Sequence, residues 1–586
     1  MRSMLIVLLV PVFALAVSNM PTVDAVAPEG PVQPGGPVVS QPTEIEPGAP
    51  AVLVGAVDTV GGTTYDWCGN GCIYRFIANS PDYGVHVVWM YSTHTANTEF
   101  PDRNMRYNFY DYSTGEWNWV DPDYMQSGVN VFTERVGYGN LAVDPSTGVA
   151  LVPCHLGTPL RIDVARDMAP GTGIFEYCSG SPDLEGYLWP PIDVDANSKI
   201  HIACIDDIGD RDNLYYASGA TWCNWTSPVR IATPQPEPMF PDQNIAASKV
   251  SDNVCITWVY SPDGYSQKPG FYRISTDGGE NWDSPTQLMW PDAYQGDTLA
   301  SFHITSLFPF YDSQDELHIV ASVTPFVRDT NYILPADIWH WKDDVWTFVH
   351  KADPESLMAG IGYNASMACR PSIGEDNEGN LFVAWEEFDG VNVEPVTDFL
   401  RGDIWGARGN AAGTSWGEAL RLTGPGEPVS HRFPSIIDKA VSGTHYTNDT
   451  VMIFYEIDRQ AGFFVQGEGT ATNNAMVVQK VVGETFPEPP IAVEERGAVP
   501  TRIEVSALPN PLSGRTRISY ALPRATEVTL AIYDEAGRPV QTLHKGLTQA
   551  GRHTATWNAS EVPAGVYFYK LQAGDRTLSD KLIVSR

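Results

Sequence analysis

Basic residues are scarce in this chain. Its 586 residues hold 36 Lys and Arg against 71 Asp and Glu, a net charge of −35. Such a surplus of acid repels nucleic acid and anionic lipid surfaces, so neither is an expected partner. Long amphipathic helical stretches are almost absent, which argues against a helical bundle. Beyond the first residues no apolar run reaches the ~18 that a membrane-spanning helix needs, so no transmembrane segment is expected in the mature chain. There is no Ser/His/Asp order, phosphate-cradling glycine loop, dinucleotide fingerprint or EF-hand pattern. Cysteines number only 8. Cys68 and Cys72 have no second such pair to complete a zinc site. Sequence neighbours suggest the disulfides Cys68–Cys72, Cys154–Cys178 and Cys204–Cys223, as an oxidising compartment would permit.

Aromatic and turn residues are plentiful: 17 Trp, 26 Tyr, 51 Gly and 46 Pro. Together with the missing helices they describe a turn-rich all-β protein. Arg2 followed by the apolar run Met4–Ala16, with small residues at Ala14 and Ala16, reads as a signal peptide over residues 1–25. Residues 26–56 and 484–500 are rich in proline and lack periodicity, as linkers do. They bound a body, 57–483, and a tail, 501–586. The tail carries 11 Lys and Arg against 7 Asp and Glu, leaving about −39 on the rest.

The body repeats itself. An apolar strand recurs at 85–89, 150–154, 200–204, 254–258, 317–321, 381–385 and 451–455, with intervals of 50 to 70 residues. Each copy follows a polar turn, and most follow another short apolar strand. A third strand comes after a loop of variable length, and a weaker fourth closes the unit. Four strands at such a period predict the blades of a β-propeller. A single small sheet cannot bury both faces; stacking sheets around an axis does, and closing the ring removes the free end. Seven occurrences predict seven blades, with six as the alternative. His86, His201 and His318 share one strand phase, which predicts packing. Trp89, Trp258 and Trp385 share the strand-end phase, which fits packing between blades better than stacking on a sugar.

Residues 275–282 read STDGGENW. Ser275 and Asp277 can hold a tight turn through side-chain to backbone hydrogen bonds, Gly279 takes a backbone shape other residues resist, and Trp282 packs beneath. The segment resembles the Asp-box of bacterial neuraminidase (BNR) repeats, and the resemblance implies a sialidase-like propeller. It is a turn motif and implies no catalysis. Sialidases bind the substrate carboxylate with three arginines around the axis. In this sequence Arg75, Arg370 and Arg432 fall at one phase of the repeat, and Arg135 is placed similarly. Arg75 stands where an Arg-Ile-Pro step is usual, without its proline. These arginines form a candidate anion pocket, or else each pairs with a local carboxylate. Glu386 and Glu387 reach the same rim, but neighbours on a strand face opposite ways, so they are no catalytic dyad. Tyr455 and Glu456 fail as a nucleophile and base pair for the same reason. Asp206, Asp207, Asp210 and Asp212 are candidate calcium ligands, or else a solvated acidic loop.

The tail alternates apolar and polar residues between the turns at 534–539, 550–551, 564–565 and 573–574. It carries Asn510–Pro511, a Y-D-x-x-G-R turn, Gly565, Tyr567 and Lys581. It resembles the C-terminal sorting domain (type A) of type IX secretion, an Ig-like sandwich related to that of flagellar hook-capping proteins. The resemblance implies a passenger handed to that export machinery and delivered to the cell surface or beyond. The expectation is therefore a monomeric surface or secreted protein with an all-β propeller and an Ig-like sandwich. Its expected role is non-catalytic binding of glycan or protein, with a divergent sialidase-like glycoside hydrolase as the alternative and calcium as the one candidate cofactor.

Overall fold

The computed structural model describes residues 53–490 and 503–585, apart from 70–74, 158, 179–181, 207–212, 234–241, 260–267, 292–297, 304–306, 328–329, 444–445, 509, 511, 513–514, 549–550, 560–561 and 575. The signal-peptide reading lies outside these residues, as do most of both linker readings. The chain divides into two compact units, 1–490 and 491–586. The described residues hold strands and short 3-10 turns only. None of their helices is long and apolar enough to cross a membrane.

The first unit is a β-propeller built from seven antiparallel sheets among the described residues. Each of the seven recurring apolar segments is the second strand of a different sheet: Gly84–Tyr91, Ala150–Gly157, Ile200–Asp206, Val254–Val259, Leu317–Val327, Leu381–Val393 and Tyr446–Asp458. Adjacent inner strands are tied side by side. Ile436 N donates to Ser372 Oγ at 3.0 Å, and Ala247 N to Asp193 Oδ2 at 2.8 Å. Between the last sheet and the first, Phe76 N donates to Ser435 Oγ at 2.9 Å and Asn79 N to Asp438 Oδ1 at 2.8 Å. Hydrogen bonds close the ring: the first strand, Ala56–Thr63, pairs antiparallel with Asn474–Val482 and becomes the outer strand of the last sheet. That strand starts inside the span read as linker. At the other end Phe486 is buried against Phe382, so residues 484–490 also belong to the propeller. A proline-rich stretch can still pack when it needs no ladder hydrogen bonds of its own.

The aromatic and histidine phases resolve as packing. Trp89, Trp258 and Trp385 are 0%, 2% and 0% exposed, which removes them as sugar platforms. His86 and His201 meet Tyr107 and Tyr216 hydroxyls at 2.8 and 2.7 Å, and His318 meets His340 at 2.8 Å, all inside single sheets. The 275–282 turn is held as its residues require. Gly279 N donates to Ser275 Oγ, and Asn281 N to Asp277 Oδ1, each at 2.8 Å. Gly279 has φ +83°, and a Cβ there would lie 1.8 Å from the Tyr216 hydroxyl. Trp282 packs edge-on against Tyr216. Because Ser275 is buried, Ser275→Ala orphans the Gly279 N–H and should cost about 1–2 kcal/mol in urea unfolding.

The disulfide expectations are corrected. Cys178 bonds Cys223, while Cys68, Cys154 and Cys204 are free and buried. Cys72 lies outside the described residues. Neighbours in sequence leave on different strands, so proximity along the chain is a poor guide to proximity in a ring.

The second unit is a two-sheet sandwich. Glu504–Leu508, Arg515–Leu522 and Gly551–Asn558 form one sheet; Pro539–Thr548, Thr526–Asp534, Gly565–Ala573 and Arg576–Val584 form the other. Trp557, Leu530, Ile532 and Leu582 fill its core. Asn510 fastens the last strand, donating to Lys581 O at 2.8 Å and accepting from Ile583 N at 2.9 Å. Tyr567 donates to Pro563 O at 2.9 Å and packs on Trp557. The Lys581 side chain is exposed and Gly565 opens its strand. Pro511 lies outside the described residues.

Candidate functional site

The similar runs Arg370–Pro371–Ser372–Ile373 and Arg432–Phe433–Pro434–Ser435–Ile436 build a bulge at the start of two consecutive inner strands. Register shifts fall at Cys369/Ser372 and Arg432/Ser435. Proline has no N–H to give a ladder and so sits where the ladder is broken. Arg370 and Phe433 take φ +55° and +53°, the strained region that lets the bulges turn their side chains. Both guanidinium groups reach one carboxylate, Glu386. Arg370 Nη1 donates to Glu386 Oε2 at 2.9 Å and Arg432 Nε to Oε1 at 3.2 Å. Phe433 N adds a third donor at 3.3 Å. The Arg432 guanidinium lies 3.5 Å from the Phe463 ring centroid, and Arg370 4.6 Å from that of Phe433. Arg370, Glu386 and Arg432 are 4%, 0% and 0% exposed. They form a closed buried triad, not an open pocket.

Arg75 does not join them. Its guanidinium donates to Ile436 O at 3.0 Å and Ile373 O at 3.2 Å and lies over Phe308 and Phe310. The expected convergence of three arginines is thus corrected to two. The third is engaged by backbone carbonyls of the two neighbouring inner strands. Arg75 borders a cavity of about 300 Å³ at the end of the channel made by the turns between first and second strands, with Asn79, Asp193, Lys249, Glu375 and Asp438 also in its wall. Most of that charge is neutralised locally: Lys249 pairs with Asp193 and Lys439 with Glu375. Glu387 faces away from Glu386, accepting from Trp385 Nε1 at 2.9 Å, with His350 Nε2 3.1 Å away. Asp206 is buried and accepts from Asn213 N at 2.7 Å. Asp207, Asp210 and Asp212 lie outside the described residues. Among the described residues no cluster of three His, Cys, Asp or Glu could hold a metal.

Two clusters at the end where inner strands begin escaped the sequence reading. The first is acidic. Asp66, Glu456 and Asp458 are buried, and burial pushes their carboxyls up, Asp66 to about 6 and Asp458 to about 7. Desolvation first, then Asp458 and Asp66, also raise Glu456 well above its usual range. Glu456 accepts from Asn474 Nδ2 at 2.8 Å and from Cys68 Sγ at 3.4 Å. Glu456 and Asp458 stand two apart on one strand and so share a face, a signal the sequence does carry. Asp66, from a distant segment, gives none. The second cluster is basic and aromatic. Tyr65 and Tyr138 hydroxyls are 2.7 Å apart, and Arg103 Nη1 donates to Tyr65 Oη at 3.3 Å. His155 stacks on Tyr138. Burial and the nearby Arg103 and Arg135 push His155 down to about 3, so it is neutral at ordinary pH. Arg135 is not in an inner strand; it lies in the preceding loop, bound to Phe100 O and Glu99 O.

Residues 506–585 match the family described as secretion system C-terminal sorting domain. The protein is therefore exported by the type IX secretion system to the cell surface or the surrounding medium. No curated protein matches the chain. Among solved structures, a PL25 ulvan lyase is similar at 8% identity over 75% of this chain and 96% of its own, with a TM-score of 0.43. The polysaccharide lyase Uly1 gives 10% identity over 71% and 92%, TM-score 0.40. An α-L-arabinanase of Penicillium chrysogenum with bound arabinobiose gives 9% over 62% and 94%, TM-score 0.35.

Proposed function

We propose that the propeller is a non-catalytic receptor for an extracellular glycan or protein, carried outside the cell by its sorting domain. One observation supports the absence of turnover above all others. Glu386, the carboxylate at the heart of the candidate site, is enclosed by Arg370 and Arg432 with no exposed surface. Most glycoside hydrolases use two carboxyl groups facing the scissile bond, about 5–10 Å apart, and sialidases a Tyr nucleophile instead. Glu387 is turned toward Trp385 and His350, so it does not supply the second. Tyr455 packs on His431 while Glu456 bonds Asn474, on the opposite face of the strand. Among the described candidate residues, neither the arginine trio nor the Tyr–Glu pair of a sialidase comes together, which supports this reading.

The test is a glycan-array screen of the exported protein beside fluorogenic sialoside and uronide assays and ultraviolet detection of unsaturated uronides. Binding with no product in any assay is the expected result. Product released by the natural protein in any of these assays would overturn the reading.

A further inference from the structure

Among the described residues Arg103 and Arg135 stand together without a carboxylate, unlike the ion-paired arginines of this acidic unit and unlike Arg75 and Arg273, which are each engaged singly by backbone carbonyls. Arg161, Arg166, Arg370, Arg401, Arg421 and Arg432 each have a carboxylate within ion-pair distance. Arg103 and Arg135 have none, although carboxylates outnumber basic groups about two to one. Arg103 Nε donates to Val136 O at 2.8 Å, and Arg135 Nε and Nη2 to Phe100 O and Glu99 O at 2.9 Å. Even Glu134, the nearest acid in sequence, turns to Arg161 at 3.7 Å. The two segments are joined through Val136 N, which donates to Arg103 O, and the Arg103 guanidinium works against the charge of Arg135. Two like charges left side by side without a counterion are unfavourable unless something outside the chain completes them.

The same place is built to hold its geometry. The Arg103 guanidinium lies over the Tyr65 and Tyr138 rings, at 5.6 and 5.4 Å from their centroids. Gly137 admits it: a Cβ there would lie 2.6 Å from the guanidinium. Tyr138 is held at φ +53°. Arg103 is half-buried and Arg135 exposed, and Arg103 Nη2 and Arg135 Nη1 donate no hydrogen bond among the described residues. A fixed pair of guanidinium donors beside phenol hydroxyls and aromatic faces matches a planar or tetrahedral oxyanion carried on a sugar ring. Nucleic acid offers such anions too, but the charge of the whole chain opposes it.

We propose that Arg103 and Arg135, with the hydroxyl of the half-buried Tyr138, seat the carboxylate or sulfate ester of an acidic polysaccharide. The proposal rests on the receptor reading and names its ligand class. It is tested with the full exported chain by calorimetric titration against polygalacturonate, dextran sulfate and neutral dextran. At least one acidic polymer should bind, more weakly as salt rises, and dextran should not. Arg135→Gln alters an exposed side chain and should weaken binding about tenfold with an unchanged circular dichroism spectrum. Arg103→Gln should weaken it further, and the preferred polymer separates carboxylate from sulfate. Equal affinity for dextran, or an Arg135→Gln protein that binds as before, overturns the proposal but leaves a receptor of other specificity. Failure to bind any glycan on the array or any protein removes both.

Discussion

Replacing Glu386 by alanine is expected to destabilise the propeller by about 3–5 kcal/mol, read as a lower urea midpoint at constant m-value. The carboxylate is fully buried and takes donors from Arg370, Arg432 and Phe433. Removing it strands two guanidinium groups beneath the surface with little else to neutralise them. Arg432 is the more exposed to this loss, because its Nη2 already lacks a partner. The companion variant Arg370→Met/Glu386→Leu/Arg432→Met removes all three charges together. It should recover most of the loss, since exchanging a whole buried ion cluster for apolar groups of similar volume is often neutral. A Glu386→Ala protein as stable as the natural one would mean that water reaches these arginines.

Asp458→Asn should make the propeller more stable than the natural protein near pH 8, by about 2–4 kcal/mol, and nearly equal to it near pH 4. The Asp458 carboxyl titrates at about 7 in the fold against 3.8 when free, because burial and Asp66 oppose its charge. A raised carboxyl binds its proton more tightly in the folded chain than in the unfolded one. Its favourable share is complete below the unfolded value and disappears as pH climbs through about 7. Asparagine keeps the acceptor used by Gln460 N and Thr472 Oγ1 and never ionises. Buried His86 and His155, both lowered to about 3, act in the opposite sense, losing stability as pH falls below 6.5. They are common to both proteins and cancel in the difference. Melting curves of the two proteins across this range decide it; parallel profiles would show that Asp458 is charged without penalty.

The repeat was legible because each second strand is buried on both faces and must be apolar throughout, whatever its loops do. The turn at Ser275 was legible because its chemistry is local. The arginine phase was half informative: Arg370 and Arg432 share a bulge built by similar words, and they do meet. Arg75 shares the phase but lacks the proline and the bulge, so it points elsewhere. The disulfide could not be read, since Cys178 and Cys223 come together only through the packing of neighbouring sheets. The Tyr65, Arg103, Tyr138 and His155 cluster joins four segments from two sheets and the loop that precedes them. No spacing rule links such positions.

The pairing of Ala56–Thr63 with Asn474–Val482 has a bearing on the order of events in the cell. A ribosome has to translate Val482 before the opening strand finds its neighbour. The export address at 506–585 is translated later still. A truncated product that stops short of the clasp therefore also lacks its address label, and only chains able to complete their circle are eligible for dispatch.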